Sequence, residues 1–127
     1  WQFDLPTGVA VNSRNEVIVV ESGRIQKFTS EGVFIDAFGK QGSANEELNR
    51  CLGVCCDKDD NIYVANGGNN RVQKFSPNGL FIGSFGGRGT GAGQLAGPIA
   101  VAINGKGFVF VLEKDNGRIQ EFQPSGK

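Results

Sequence analysis

Between residues 53 and 85 the hydrophobic positions come in four short bursts: "GVCC" at 53–56, "IYVA" at 62–65, "RVQKF" at 71–75 and "LFIGSF" at 80–85. The first two are almost continuously apolar, as fully buried strands are, and the third alternates polar with apolar as a half-buried strand does. "DKDDN", "NGGNN" and "SPNG" separate them, and their Asn, Asp, Gly and Pro residues suit the positive or preset backbone angles of tight reversals. No stretch holds a helical period for three turns. The pattern predicts four antiparallel strands and almost no helix.

The same pattern is written three times. "GRIQKFTSEG" begins at Gly23, "NNRVQKFSPNG" at Asn69 and "GRIQEFQPSG" at Gly117, so that Arg24, Arg71 and Arg118 stand 47 residues apart, as do Phe28, Phe75 and Phe122. Upstream, Leu48 aligns with Leu95, Val54 with Val101 and Val64 with Val111 at the same spacing, while the first copy keeps register at an offset of 45 because two residues are missing before Arg24. The repeats fall at about 2–47, 48–94 and 95–127. A fixed period of this length signals an array of equivalent units, each unable to bury its apolar face alone and stacked on its neighbours. Four antiparallel strands per unit at this period describe a β-propeller blade, with an apolar innermost strand and progressively wetter outer ones.

Composition supports one all-β array rather than several domains. A chain of 127 residues suits a single domain, and 20 glycines with no methionine fit many short strands joined by turns. Formal charge is zero, with 13 basic and 13 acidic side chains, so no global field draws the chain to nucleic acid or to an acidic membrane. No apolar run approaches a membrane span and the N-terminus shows no leader, so the expectation is a soluble chain. Three cysteines confined to one repeat, an odd number, and the absence of an Asn-x-Ser/Thr acceptor point to a reducing, cytoplasmic setting.

One family resemblance is specific. Gly-Val-x-x in the inner strand, "NIYVA", "NNRVQKF", Pro-x-Gly and "FGGRGTGAGQL" together resemble NHL repeats over essentially the whole chain, and look most like the arrays that close tripartite-motif ubiquitin ligases and their relatives lacking the ring finger. The second copy matches best; the first is shortened, and the third has Ala100 where a glycine precedes the inner strand. The resemblance implies a six-bladed ring, of which this chain supplies three four-stranded blades, the last incomplete because no counterpart of "LFIGSFG" follows. Half a ring leaves two blade faces unburied. Two copies about a twofold axis would complete six blades, so a homodimer is one expectation and a piece of a longer propeller the other. Trp1, Gln2 and Phe3 are too few to replace the absent strand, so the third blade is expected to keep a bare edge.

Candidate chemistry is sparse. There is no histidine, which removes a Ser-His-Asp or Cys-His nucleophile and a His-ligated zinc, so no enzyme activity and no cofactor or metal are expected. Asp57, Asp59 and Asn61 alternate like the start of a calcium loop, but Ile62 stands where the glycine belongs and Gly68 where the bidentate glutamate belongs; a turn is the favoured reading. "GGRGTGAG" lacks the Lys-Ser/Thr of a phosphate loop and leads into a strand, so it reads as a connector. Cys55 and Cys56 align with small apolar residues of the other inner strands and are expected to be buried on opposite faces.

Recognition remains. In a propeller the turns joining second to third strands share one rim with the blade-to-blade connectors, here residues 21–23, 66–70 and 113–117 together with 40–50 and 88–98. Loops on a rigid frame commonly carry binding. The candidate rim residues are Lys40, Asn49, Arg50, Asn69, Asn70, Arg71 and Arg88, with Lys114 nearby, set against Glu21, Glu46, Glu47, Glu113 and Asp115. Protein binding, such as the substrate recruitment that the resemblance implies, is the first expectation. Single-stranded RNA binding through Arg50, Asn70, Arg71 and Arg88 is the second, disfavoured by a near-neutral rim and by aromatic residues placed at core positions. Arginines that recur in every repeat are expected to brace strand ends rather than to bind.

Overall fold

The computed structural model describes residues 5–44 and 47–123. Eleven strands form three antiparallel sheets in chain order. The first sheet holds β1 (Gly8–Val11), β2 (Val17–Glu21), β3 (Arg24–Phe28) and β4 (Phe34–Phe38). The second holds β5 (Cys51–Cys56), β6 (Ile62–Asn66), β7 (Arg71–Phe75) and β8 (Phe81–Gly86). The third holds β9 (Pro98–Ile103), β10 (Val109–Glu113) and β11 (Arg118–Phe122), with no fourth strand among the described residues. Each sheet is an up-and-down meander, the simplest pairing for strands joined by tight turns. These are propeller-type blades, and the sole helical piece among the described residues is one 3-10 turn at Gly67–Asn69.

The blades stack through their flat faces, with β1, β5 and β9 packed side by side along a common inner line. Because alternate side chains of a strand point to opposite faces, each blade presents a forward face to the next blade and a back face to the previous one. Ile18, Val20 and Ile25 of blade 1 meet Val54, Ile62, Val64 and Phe75 of blade 2 in one core. Tyr63, Ala65 and Val72 of blade 2 meet Val101, Val109, Val111 and Phe122 of blade 3 in the other. The inner strands approach so closely that a Cβ placed on Gly53 would lie 2.8 Å from Ala100 Cα, which accounts for glycine there.

Three details differ from the sequence reading. β5 starts at Cys51 rather than Gly53, across a register shift between Cys51 and Gly53. β8 runs from Phe81 to Gly86 rather than from 80 to 85. Burial peaks in the second strand, with all five residues of β6 buried, rather than in the inner strand, since β6 is flanked by β5 and β7 whereas each inner strand forms one edge of its sheet. The expectations about Trp1, Gln2 and Phe3 concern residues outside those described.

Turn chemistry follows the sequence. Asp57 Oδ1 accepts the N–H groups of Asp59 and Asn61, both at 2.9 Å, closing the turn that superficially resembles a calcium loop. Asn12 and Asn104 do the same in the other blades. Cys56 packs in the first core and Cys55 in the second, on opposite faces as expected. Burial raises the thiols, Cys51 and Cys55 to about 12 and Cys56 to about 11, so all three are poor nucleophiles.

Candidate functional site

The rim formed by the second-to-third-strand turns and the connectors is braced from within. In blade 3, Arg118 donates to the carbonyls of Thr90 (2.9 Å), Gly91 (3.0 Å) and Gln94 (2.9 Å), pinning the connector against the blade. In blade 2, Arg71 does the same work on the carbonyls of Ser43, Ala44 and Glu47. The asparagine two residues before each of these two arginines repeats this pattern, with Asn69 Nδ2 on Gly42 O and Asn116 Nδ2 on Gly89 O. An arginine is suited to the task because its fork of donors reaches several carbonyls at once.

Carboxylates anchor the arginines. Glu113 is fully buried; its oxygens accept Arg118 Nε at 2.7 Å, Asn116 Nδ2 at 2.8 Å, Gln120 Nε2 at 2.8 Å and the Ala96 N–H at 3.1 Å. Burial alone would raise its pKa, yet the donors outweigh burial and hold it below the usual carboxylate range. Glu21 takes the equivalent place in blade 1, 2.7 Å from Arg24 and bonded to Gln26. In blade 2 the position is Asn66, whose amide serves Gln73 and the Glu47 carbonyl, and Arg71 Nε is left buried without an acceptor. Desolvation accordingly lowers the Arg71 pKa.

The seven rim residues singled out from sequence therefore divide. Asn49, Asn69, Asn70 and Arg71 are engaged in the frame: the Asn49 N–H donates to Asn66 Oδ1, and Asn70 Oδ1 accepts the Gly97 N–H at 3.0 Å. Asn70 also holds a left-handed backbone, φ 54°, that Gly117 shares at the matching turn. Lys40 is exposed and lies 3.4 Å from Glu47, whose pKa is lowered first by the Ala44 N–H and then by Lys40. Arg50 and Arg88 are exposed, and neither side chain makes a hydrogen bond or ion pair with another described residue.

The structure also redistributes the rim charge. Glu21 and Glu113, counted from sequence as rim acids, are buried in the bracing network, and Glu46 lies outside the described residues. What the described rim presents to solvent is Lys40, Arg50, Arg88 and Lys114 against Glu47 and Asp115. The sequence reading missed this role, and the recurrence of an acid at the end of the second strand, Glu21 and Glu113, is the signal that could have shown it. Tyr63 is not on this rim; it sits at the opposite end between blades 2 and 3, under Lys74 Nζ at 5.3 Å, beside a cleft of about 260 Å³.

Among the described residues no group of three or more His, Cys, Asp or Glu side chains is arranged to hold a metal ion, and no helix is long and apolar enough to cross a membrane. Chemically, the rim can offer charge and hydrogen bonds to a partner.

The sheet architecture defines a propeller-type array, and comparison with known proteins agrees. A solved protein of unknown function from Bacteroides caccae aligns over 100% of the chain at TM-score 0.65 and 17% identity, with 47% of that structure covered. A streptogramin B lyase aligns over 93% of the chain at TM-score 0.64 and 17% identity, with 40% covered. Hydrazine synthase from Kuenenia stuttgartiensis aligns over 98% at TM-score 0.74 and 10% identity, with 35% covered. At these identities the likeness is one of fold. In sequence, residues 48–75 match the NHL repeat family, which supports an NHL-type array centred on blade 2. Protein brain tumor of Drosophila melanogaster is 45% identical over 49 residues, which is 37% of the chain and 5% of that protein. The chain thus spans a small part of this curated relative and less than half of each of these solved structures.

Proposed function

We propose that the chain is a non-catalytic binding module that recruits a protein partner across its connector rim, as the likeness to NHL arrays suggests. The observation that carries this reading is the division of rim charge: two acids are drawn into the frame while Arg50, Arg88 and Lys114 are exposed and form no ion pair with another described residue. Such a rim favours a partner segment bearing carboxylates. The bracing arginines fix the loops beforehand, which lowers the ordering cost of binding.

The same charge supports a second reading, single-stranded RNA. Against it stands the absence of an aromatic stacking surface among the described rim residues. Fluorescence anisotropy with an acidic peptide library and with mixed RNA oligomers, each at two salt concentrations, tests both. The protein reading expects peptide binding that falls at least about tenfold in Arg50→Glu/Arg88→Glu. RNA binding with a steep salt slope and no peptide binding would replace it, and binding of neither at low salt would remove both.

A further inference from the structure

The two seams between neighbouring blades are built alike but finished differently at the rim opposite the connectors. In the seam between blades 1 and 2, Asp60 reaches across from the β5–β6 turn, and its carboxylate accepts the Ser13 N–H at 2.8 Å and the Ser13 hydroxyl at 2.7 Å. Lys27 closes the outer side, donating to the Pro77 carbonyl at 2.9 Å and lying 3.8 Å from Glu16. In the seam between blades 2 and 3 the repeat puts Gly107 at the place of Asp60, Lys58 at that of Ser13 and Asn61 at that of Glu16. Only the lysine is kept, as Lys74; the counterpart of Pro77, Pro124, lies outside the described residues.

The cleft of about 260 Å³ lies in this second seam, with Lys58, Tyr63, Lys74, Ile103, Lys106 and Gly107 in its lining. Its donors meet no acceptor among the described residues. The Lys58 N–H, which matches the Ser13 N–H, makes no backbone bond in its turn. Lys74 forms no ion pair and rests over the Tyr63 ring at 5.3 Å. Tyr63 takes the place of Ile18 and is only 3% exposed, and it brings to the cleft a hydroxyl that makes no hydrogen bond with a described residue. A polar group held this far from water calls for a partner. Of the two acids in the lining, Asp57 is spent on the N–H groups of Asp59 and Asn61 and on Asn61 Nδ2, which leaves Asp59 to oppose the lysines.

We propose that this cleft binds the carboxylate of an external ligand, carried on a short apolar stem, in the place that the Asp60 side chain fills in the first seam. Lys74 Nζ, the Lys58 N–H and the Tyr63 hydroxyl are its donors, and Ile103 is the wall for the stem. Three lysines against two acids give the lining a net charge of one, which matches a monoanion better than a phosphate dianion. The volume is below the range of about 300–1,000 Å³ of sites for larger organic ligands, so it suits a short-chain acid or a glutamate side chain. The opening follows from Gly107 and Asn61, both inside described turns between two described blades. The site lies on the rim opposite the connectors and does not depend on binding there.

The test is a nitrogen–proton NMR titration of the purified chain with butyrate, with end-capped glutamate and with inorganic phosphate, all at constant ionic strength. Saturable shifts at the Lys58, Gly105 and Gly107 amides are expected with a carboxylate Kd below about 10 mM. A response to butyrate alone assigns the cleft to a free acid, and a response to capped glutamate alone to a protein side chain. No saturation by either acid up to about 50 mM, or phosphate binding as tight as carboxylate binding, would overturn the proposal. Lys74→Gln and Tyr63→Phe should each weaken carboxylate binding about three- to tenfold with the amide spectrum elsewhere unchanged, and unaltered affinity in both would overturn the assigned donors. Gly107→Asp installs the carboxylate of the first seam at a turn position where Gly107 has φ 84° and Asp60, its counterpart, already holds φ 65°. It should keep the fold and abolish ligand binding; a folded Gly107→Asp chain that still binds as the parent does would overturn the site.

Discussion

Blades 2 and 3 perform the same bracing with different chemistry. In blade 3 the arginine that pins the connector is held by a buried carboxylate, Glu113, which also collects Asn116, Gln120 and the Ala96 N–H. In blade 2 that place is taken by Asn66, which accepts the Asn49 N–H in the role Glu113 plays for Ala96 but leaves Arg71 Nε without an acceptor. The connector is pinned in both cases, so the carbonyl bonds rather than the ion pair define its path. The ion pair determines how firmly the arginine itself is held. A buried charge network is stabilising only while complete, and its parts are costly when orphaned.

The largest break in this comparison is Glu113→Ala, expected to cost about 3 kcal/mol in urea unfolding, the lower end for a buried pair because Arg118 is partly exposed. A loss below about 1 kcal/mol would mean that blade 3 is held no differently from blade 2. Next, Arg118→Ala is expected to cost about 2 kcal/mol and Arg71→Ala about 1 kcal/mol, since Arg71 gives up carbonyl bonds but no carboxylate. The reverse order would show that the carbonyl bonds dominate both. Asn66→Glu sharpens the contrast by giving blade 2 the acid of blades 1 and 3, with an expected gain of about 1 kcal/mol at neutral pH. No gain would show that the donors Asn66 supplies to Gln73 and the Glu47 carbonyl are worth as much as the ion pair.

The smallest effect is in pH. The Glu113 pKa lies below its ordinary value of 4.5 in the folded chain, so its contribution is complete above that value and is lost as pH falls through the lowered folded value. Asp60, lowered by the Ser13 N–H and hydroxyl across the first blade interface, behaves in the same sense. Acid unfolding below about pH 4 should therefore be less steep in Glu113→Gln than in the parent chain. Equal slopes would place the acid sensitivity elsewhere.

Strand positions were legible because each repeat states them again, and turn chemistry at Asp57, Gly79 and Gly117 marks the breaks. The bracing arginines were also legible, as residues that recur without variation. Burial was harder to read. Glu113 lies in "EKDNGR", a polar string typical of an exposed turn, and only its neighbours in space show that it faces inward. Val9 and Val54 are the same residue at the same place in the repeat, yet one is 66% exposed and the other 8%. Their difference comes from the adjoining blade, which a local pattern does not encode.

The arginine bonds end on carbonyl oxygens, which every amino acid possesses. Thr90, Gly91 and Gln94 are gripped by their backbone, so Arg118 imposes a loop path while placing little demand on the side chains along it. Mutation can therefore rewrite the outward surface of these connectors without loosening them, and new specificities can be tried on an unchanged frame.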